Sequence, residues 1–515
     1  MKRILPILLL FLSASCEKGY GSANSYSDLE ITLEVSAGQS QQLGPAPEAQ
    51  AIILDALKKR LQISEIRHSP IYTHIFFSNG SDAQIPTSVF PFIQTDDRGF
   101  WIMNDQFTST PTCVDSMGRA ILPTLRIGET SWTLDGNETD LSFEPYLAFS
   151  NSCDSTHLIG LLESQNRLYI YTSDGKTPSL PIIPEGFYRV PDYWQDYLVE
   201  REKQAEAAIA DSKGDHTSFV FFTDAHWGKN YKHSPSLIRH ITDFTPVSKV
   251  FFGGDIITDH FTNLASPVQL GMDFQASFAF LGPHFYCLYG NHDNNSDGQP
   301  SKTDYHLSDE QISSFLQSQM TELDAQDGFC FYVDDATSKT RFVGLDTGRY
   351  YYDRFRNYSV ETARFLIESI QNVPEGWHII VLSHIWTTLR ISDGIRVCRF
   401  AGFFNFPLTI MDDYNLRKHG SFSYSGHTVK YDFSSCQGKV EACIGGHNHR
   451  DGLLFTSGGI PVIIVPTDSY KTINGDKAEK GTITEQSISI ITVDYAARNM
   501  KLFSIGRGED RDIDL

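Results

Sequence analysis

The chain has 515 residues, which is long for one domain and suits two or three. Hydrophobic residues make up 40% of it, enough for a sizeable core, and the formal net charge is -21. A protein this acidic lacks the positive field that attracts polyanions, so we do not expect it to bind a nucleic acid polymer. A local metal site could still bind a single phosphate group.

The first residues form a predicted targeting segment. Lys2 and Arg3 precede an apolar run over 4–12, which is shorter than the roughly 20 residues that span a bilayer and fits a secretory signal peptide. Small residues at 13–15 lead to Cys16, which indicates a lipoprotein signal over 1–16 whose cysteine is lipidated after cleavage. We therefore expect an exported protein, lipid-anchored in the bacterial cell envelope and facing the periplasm or the surface. Ser13 replaces the Leu usual in such signals, so a plain secreted protein is the alternative.

Seven further cysteines follow Cys16, and none forms a C-x-x-C pair. A thiolate zinc site is therefore not expected. Export permits disulfides, but the odd number leaves at least one thiol unpaired. We expect most of these side chains to be buried as small apolar groups, and Cys113 with Cys153 is the candidate disulfide.

The N-terminal part is predicted to be rich in strands. Residues 17–28 are rich in Gly, Ser and Asn and are expected to form a tether. Over 29–175, short alternating runs are separated by turn residues, which predicts strands and hairpins, with one helix over about 47–62. The stretches around Trp101 and Trp132 resemble the small β modules that precede catalytic domains in bacterial surface lipoproteins.

A change of texture follows this part of the chain. Four prolines fall within 176–194, so we expect a Pro-rich linker and a helix of about 192–211 to occupy 176–215. From residue 216 onward, short apolar runs that end in polar residues alternate with helical stretches. This alternation predicts an α/β domain with a buried sheet over 216–508.

Potential metal ligands follow five of those apolar runs. They are Asp224-Ala225-His226, Gly253-Gly254-Asp255, Gly290-Asn291-His292-Asp293, Ser383-His384 and Gly446-His447-Asn448-His449. Each motif alone is common by chance. Because open α/β sheets bind ligands at the carboxyl ends of their strands, we expect the five to converge on one edge.

The residue types indicate the kind of metal. Imidazole and carboxylate together favour Mn, Fe or Zn over Mg or Ca. Residues i and i+2 of a strand face the same side, so Asp224 and His226 are expected to reach one ion. Asp255 has two oxygens and could bridge two ions. Glycines at 254, 290 and 446 are expected to allow a close approach of the backbone.

This ordered set of motifs resembles that of the calcineurin-like metallophosphoesterases, over roughly residues 216–508. The resemblance implies an α/β (α+β) fold, a four-layer β-sandwich flanked by helices, preceded here by the smaller β-rich domain. It also implies two divalent metal ions at one end of the sandwich. One ion would be held by Asp224, His226 and His449, the other by Asn291, His384 and His447, with Asp255 bridging them.

The resemblance further implies hydrolysis of phosphate esters. A hydroxide that bridges the metals would attack phosphorus in line, with Asp255 and His292 as catalytic residues. Asn291 and His292 would bind the substrate phosphate, and His292 would protonate the leaving group. Many relatives carry an acidic residue where this chain has Thr258. The acid partner of His292 is therefore open between Asp259 and Asp293.

Other residues outside the motifs are candidates for the substrate pocket. Arg396, Arg399 and Arg417 lie in the long stretch between the last two motifs and could contact an anionic substrate. Trp227 directly follows the first motif and could line the pocket or simply pack.

Two functional hypotheses remain at this stage. The first is a dimetal phosphoesterase, either a phosphatase or a phosphodiesterase, because the motifs do not separate these two. The second is a surface lipoprotein that binds glycan or protein and has a vestigial metal site. A vestigial site would be expected to have lost a ligand, so the complete set favours the enzyme. The pattern leaves any protein partner unknown.

Overall fold

The structure is a computed structural model. It describes residues 47–515 except 69–71, 87–90, 97, 104–105, 115–119, 128–130, 143–157, 165, 173, 184–188, 213, 259–260, 296–304, 348–357, 393–394, 401–405, 425 and 471–477. The predicted signal with Cys16, the tether, Cys153 and Asp259 lie outside the described residues. Among the described residues, no helix has both the length and the apolar character needed to cross a membrane. The chain divides into two compact units, Met1–Phe187 and Tyr188–Leu515.

The first unit is rich in strands, as the alternating runs predict. Its helix α1 spans Pro47–Lys59, a little shorter than expected. Its strands are β1 (Ile63–His68), β2 (Tyr72–Phe77), β3 (Asp82–Pro86), β4 (Phe92–Thr95), β5 (Phe100–Met103), β6 (Gln106–Pro111), β7 (Cys113–Val114), β8 (Ala120–Ile121), β9 (Leu125–Ile127), β10 (Ser131–Leu134), β11 (Asn137–Ser142), β12 (Leu158–Ser164), β13 (Arg167–Thr172) and β14 (Ser179–Pro181).

These strands form several small sheets. The largest has the order β14-β13-β12-β4-β5-β6, and three-stranded sheets contain β1–β3 and β9–β11. Trp101 and Trp132 are buried in a common core with Ile93 and Leu162, so both tryptophans pack inside this unit. Its resemblance to lipoprotein β modules stays a prediction.

The described residues of the predicted linker and helix, 176–215, include strand β14 of the first unit and helix α2 of the second. Strand β14 lies at the edge of its sheet, where Pro181 removes no hydrogen bond from a central strand. Helix α2 spans Asp192–Asp211, as the sequence predicts.

The second unit contains the remaining elements. After α2 its helices are α3 (Ser234–Phe244), α4 (Ala265–Ser277), α5 (Asp309–Leu316), α6 (Val360–Gln371) and α7 (Phe406–Asn415). Its strands are β15 (His216–Phe222), β16 (Lys249–Phe252), β17 (Phe285–Cys287), β18 (Ala325–Asp327), β19 (Cys330–Asp335), β20 (Thr340–Leu345), β21 (His378–Ser383), β22 (Thr387–Ser392), β23 (Ile395–Phe400), β24 (His419–Tyr424), β25 (His427–Asp432), β26 (Lys439–Gly445), β27 (Gly452–Phe455), β28 (Pro461–Ile464), β29 (Ser487–Asp494), β30 (Asn499–Gly506) and β31 (Arg511–Asp514).

Two large sheets organise this unit. The first has the order β17-β16-β15-β29-β30-β31, with β15, β16 and β17 parallel and the other three antiparallel. The second has the order β18-β19-β20-β21-β26-β28-β27, in which β20, β21, β26 and β28 run parallel. The parallel strands of both sheets therefore have neighbouring carboxyl ends.

The two sheets pack face to face as a β-sandwich. The ring of Phe342 in the second sheet lies 5.1 Å from Phe219 and 4.7 Å from Phe251 in the first. Val343, the next residue, belongs to a different core that includes side chains of α6 and α7. This alternation confirms a sandwich whose outer face is covered by helices.

The first sheet continues beyond the predicted end of the domain. The expected closing hairpin is present as β29 and β30. Strand β31 then pairs with β30, so the sheet reaches Asp514 and the boundary predicted at 508 is too early. The short run after the turn at Gly508 supplies this last strand, which the sequence pattern did not indicate.

Four of the cysteines are buried with free thiols. They are Cys287, Cys330, Cys436 and Cys443, which confirms the expectation of small buried side chains at these positions. The candidate disulfide involves Cys113 and Cys153, whose side chains are outside the described part of the chain.

Candidate metal centre

The predicted ligands follow the carboxyl ends of parallel strands. Strand β15 ends at Phe222, β16 at Phe252, β17 at Cys287, β21 at Ser383 and β26 at Gly445. In each case the next one to four residues supply a predicted ligand. The five motifs thus gather at one edge of the sandwich, where loops from both sheets meet.

The first motif reaches the site differently from the expectation. Asp224 and His226 lie beyond the end of β15, so strand alternation does not place them and that argument was wrong. Both residues have left-handed backbones, with φ of 53° and 39°. Such a conformation is unfavourable for residues other than Gly, so contacts with the surroundings must hold it.

Four of the predicted ligands form one compact, buried group. Ligand atoms of Asp224, His226, Asp255 and His449 all lie within 4.8 Å of one another. The Nε2 atoms of His226 and His449 are 3.1 Å apart, and His449 Nε2 lies 3.2 Å from Asp224 Oδ1. This half of the site contains one carboxylate of its own and two imidazoles.

The other three predicted ligands lie on the opposite side of Asp255. Asn291 Oδ1 is 3.1 Å from His384 Nε2 and 2.8 Å from His447 Nδ1. Asp255 Oδ2 is 3.2 Å from His384 Nε2 and 4.0 Å from His226 Nε2. One oxygen of Asp255 therefore lies between the two halves, where a bridging ligand would be.

Backbone carbonyls fix the orientation of two of the imidazoles. His226 Nδ1 is 3.0 Å from the carbonyl of Ile257, and His384 Nδ1 is 2.7 Å from that of Gly253. A carbonyl oxygen only accepts hydrogen bonds, so each Nδ1 carries a proton. The Nε2 atom of each ring then faces the cluster, which is the arrangement typical of metal-binding histidines.

The donor set fits metal ions. Asp224 Oδ1 and Asp255 Oδ2 are buried, and in the described structure neither accepts a hydrogen bond. A buried carboxylate oxygen without a hydrogen bond is costly, and a cation held between these oxygens and the nearby histidine nitrogens would satisfy both. The buried His and Asp cluster therefore fits a binuclear metal site.

The electrostatics of the ligand side chains agree with this assignment. Burial would raise the pKa of Asp224, but the charges of His449 and His384 hold it well below its usual range. Burial would lower the pKa of His384, but Asp255 and Asp224 raise it to about 9. Burial and the charge of His384 lower the pKa of His447 to about 3. A proton on His384 thus partly neutralises the carboxylates when no cation is bound.

His292 lies beside the Asp255 carboxylate and is mostly buried, with a small part of its side chain exposed. Its backbone N–H donates to Asp255 Oδ1 at 2.9 Å, and its Nε2 is 3.7 Å from Asp255 Oδ2. Its side chain is 11% exposed, whereas that of Asp255 is 1% exposed. His292 is therefore within reach of both the cluster and a substrate arriving from solvent.

Asp293 holds the backbone of two motifs together. Its Oδ1 accepts N–H groups of Ile256 and Ile257 at 2.7 and 3.3 Å. Its Oδ2 accepts those of Gly290 and Asp255 at 2.8 and 3.1 Å. Because both oxygens accept backbone amides, we assign Asp293 to positioning Asp255. Asp259, the other acid considered for His292, is outside the described residues.

Two glycines permit the close packing of these loops. Gly254 has a φ of 96°, and a Cβ there would lie 2.8 Å from the backbone nitrogen of Gly290. A Cβ on Gly446 would overlap Thr223 Oγ1 and Asp224 Oδ2. Any side chain at either position would displace a motif, which agrees with the close backbone approach expected from the sequence.

Two of the remaining candidates for the substrate pocket have structural roles, and the side chains of the other two are not described. Trp227 is 1% exposed and packs edge-on against Phe274 at 5.2 Å, so it belongs to the core. Arg417 donates to the carbonyls of Tyr414 and Gly438, which indicates a structural role. Arg396 and Arg399 lie on β23, but their side chains are not among those described.

Residues outside the five motifs hold the first motif in place. Thr467 Oγ1 donates to the carbonyl of Asp224 at 2.8 Å, and the N–H of Asp468 donates to that of Thr223 at 2.9 Å. Asn230 Nδ2 contacts the carbonyl of Ala225 at 3.2 Å. Strand β28 is also an apolar run that ends in polar residues, which was the available signal for Thr467 and Asp468.

Comparison with known proteins adds a family to this geometry. The family model described as calcineurin-like phosphoesterase matches residues 217–451, a little under half of the chain. These residues carry all five motifs, and the second unit therefore contains a metallophosphoesterase domain. The first unit precedes the match as a β-rich region.

Two solved structures are similar at low levels. A dimetal phosphatase from Danio rerio has 15% sequence identity and a TM-score of 0.35, over 58% of this chain and 98% of that one. A second solved structure has 11% identity and a TM-score of 0.33, over 56% of this chain and 100% of its own. At these scores neither likeness supports an argument about fold or activity. A search of curated proteins found no significant match.

Proposed function

We propose that the second unit is a metal-dependent hydrolase of phosphate esters that uses two divalent ions, Mn, Fe or Zn. The observation that carries the proposal is the pair of buried carboxylate oxygens, Asp224 Oδ1 and Asp255 Oδ2, which accept no hydrogen bond in the described structure and face histidine nitrogens. The family match over 217–451 supports phosphate esters as the substrate class.

The ligands divide into two sets around Asp255. Asp224, His226 and His449 would hold one ion, and Asn291, His384 and His447 the other. Bound divalent ions would polarise the phosphoryl group and lower the pKa of water in the site. Asp255, which lies between the sets, would fix their spacing.

The protein's own residues account for the remaining steps. The Asn291 carboxamide and the His292 imidazole would contact the substrate phosphate and orient it. His292, the more exposed of the two, would donate a proton to the oxygen of the departing alcohol. Asp293 would keep Asp255 in register through the backbone amides that it accepts.

The surface-binding alternative requires a vestigial metal site. Every ligand in the predicted set is present, and the described geometry brings all seven to one edge of the sandwich. This arrangement supports the enzyme over the binding protein.

The direct test is hydrolysis by protein lacking residues 1–16 and loaded with Mn²⁺, Fe²⁺ or Zn²⁺. We expect metal-dependent turnover of p-nitrophenyl phosphate or of its bis-ester, and the preferred ester assigns a phosphatase or a phosphodiesterase. Asp255→Asn should reduce the rate by on the order of 10³-fold, or about 4 kcal/mol. Asp412→Asn is the control, because this buried carboxylate contacts Thr456 and Gly458 instead of the cluster. A protein with neither turnover nor bound metal would refute the enzyme and favour the binding protein.

We also propose that the protein is exported and anchored through a lipid on Cys16. The support is the basic start, the apolar run and the small residues before Cys16. In a bacterial host, labelled palmitate should be incorporated into the wild type and not into Cys16→Ala. Wild-type protein recovered unlabelled in the soluble fraction would instead indicate plain secretion.

A further inference from the structure

The backbone segment 223–226, which carries the first motif, forms hydrogen bonds with two different parts of the chain. On its N–H side, Asp224 donates to the carbonyl of Gly254 at 2.9 Å, and His226 donates to that of Asp255 at 3.0 Å. On its carbonyl side, Thr223 accepts from the N–H of Asp468 and Asp224 accepts from the Thr467 hydroxyl at 2.8 Å. The left-handed backbones of Asp224 and His226 are therefore fixed from both directions.

Residues 467–469, which form this second support, are themselves anchored firmly. Asp468 is fully buried, and its Oδ1 accepts from the Ser487 N–H at 2.9 Å and from Gln486 Nε2 at 2.8 Å. Arg507 Nη2 donates to the carbonyls of Thr467 and Ser469 at 2.7 and 2.8 Å. The support is thus tied to the antiparallel half of the first sheet, which supplies no ligand.

Within this support Thr467 is the residue in direct contact with a ligand. It is fully buried, and its hydroxyl reaches the carbonyl of Asp224 while its Oγ1 accepts the Ser469 N–H at 3.2 Å. The hydroxyl therefore restrains the peptide that sets the direction of the Asp224 carboxylate. Loss of a residue that hydrogen-bonds to a metal ligand commonly lowers metal affinity by about 10–100-fold.

We propose that Thr467 is a positioning residue for the half of the metal centre formed by Asp224, His226 and His449. The inference rests on the proposed metal centre, and it adds a residue from outside the five motifs. Thr467 acts by holding the Asp224 carbonyl, and through it the carboxylate, in the direction that suits an ion.

The test compares three variants of the protein, each comprising residues 17–515. Thr467→Val keeps the shape of the side chain and removes the hydroxyl, and Thr467→Ser restores the hydroxyl. Thr245→Val is the matched control, because Thr245 is buried, donates to the Ile241 carbonyl at 2.7 Å and accepts the Val247 N–H at 3.3 Å. Its hydrogen bonds are of the same kind, but they lie at the end of α3.

Calorimetric titration with Mn²⁺ alone measures the affinity of each ion without any substrate. We expect Thr467→Val to weaken one of two ions by about 10-fold or more and to leave the other near its wild-type affinity. Thr467→Ser should restore the affinity of the weakened ion. Thr245→Val should leave the affinities of both ions unchanged while lowering thermal stability by about as much as Thr467→Val does. Thr467→Ala, which also lacks the hydroxyl, replaces the valine variant if that one does not fold.

The outcomes separate this inference from the proposed function. Wild-type protein that binds two ions, with Thr467→Val unchanged or with Thr245→Val weakened equally, would overturn the role of Thr467 alone. Wild-type protein that binds no Mn²⁺ would overturn the metal centre and the role of Thr467 together.

Discussion

The two halves of the candidate metal centre differ in charge and in support. The half formed by Asp224, His226 and His449 has its own carboxylate, and all three of these residues have left-handed backbones. The half formed by Asn291, His384 and His447 has a neutral amide, and its charge comes from the shared Asp255. We infer that the first half binds its ion more tightly, since attraction between unlike charges is strong at a buried site. The seven predicted ligand residues can thus form two metal sites of unequal affinity.

The largest expected effect comes from making the two halves alike in charge. Asp224→Asn should reduce the bound Mn²⁺ from two ions to one and lower kcat by on the order of 10³-fold, or about 4 kcal/mol. Asn291→Ala removes no charge, so it should weaken the other ion and leave the first in place. Metal content after gel filtration, together with kcat on p-nitrophenyl phosphate, checks both. Equal losses of metal in the two variants would contradict the comparison.

The next effect separates proton donation from metal binding. His292→Gln should retain both ions, since His292 belongs to neither half, and should lower kcat on an alkyl phosphate by about 10²-fold. The loss on p-nitrophenyl phosphate should be much smaller, because its leaving group departs readily without a proton. A similar loss on both esters would argue against His292 as the proton donor.

A third prediction concerns how pH changes the stabilisation that Asp468, in residues 467–469 beside the first half, gives to the folded protein. Burial raises the pKa of Asp468 to about 6 from 3.8, despite hydrogen bonds that include those from Ser234 and Ser487. The folded protein therefore binds this proton more tightly than the unfolded chain does. The resulting stabilisation is complete below pH 3.8 and is lost as the pH rises through about 6.

Asp468→Asn removes this dependence. Between pH 4.5 and 7, the free energy of unfolding of the metal-free wild type should fall by about 2 kcal/mol relative to the variant. Urea unfolding of both proteins at the two pH values gives this difference directly. A difference that stays constant with pH would show that Asp468 is charged throughout.

The smallest expected effect on catalysis comes from a residue outside both halves. The Arg417 guanidinium is occupied by the carbonyls of Tyr414 and Gly438. Arg417→Ala should therefore change KM by less than about two-fold and cost about 1–3 kcal/mol of stability. Steady-state kinetics and thermal unfolding distinguish this from a substrate contact, for which KM would rise strongly.

The sequence alone predicted the grouping of the ligands because its signal is local. An apolar run followed by Asp, Asn or His marks the end of a buried strand, and parallel strands bring such ends together. The same rule applied to β28 would have drawn attention to Thr467 and Asp468. They were overlooked because hydroxyl and carboxyl groups without histidine do not form a recognisable metal motif.

Other features could not be read from the sequence. The left-handed backbones of Asp224 and His226 depend on contacts with residues 253–257 and 467–468, which are distant along the chain. In the first unit, β12 pairs in parallel with β4, a neighbour that alternation of side chains does not specify. Both cases depend on pairing between remote segments, whereas sequence patterns report the local state of the chain.

The pairing of β15 links the first motif to the C-terminal hairpin. This strand leads into Asp224, and its neighbour on one side is β29, with Phe221 opposite Ser489. The last ligand, His449, emerges from the ribosome before β29 has been made. A nascent or truncated chain that ends before residue 487 would contain every ligand and still lack the strand beside β15. We therefore expect the metal centre to be complete only once the C-terminal hairpin has formed, and closing so long a segment of chain favours slow folding.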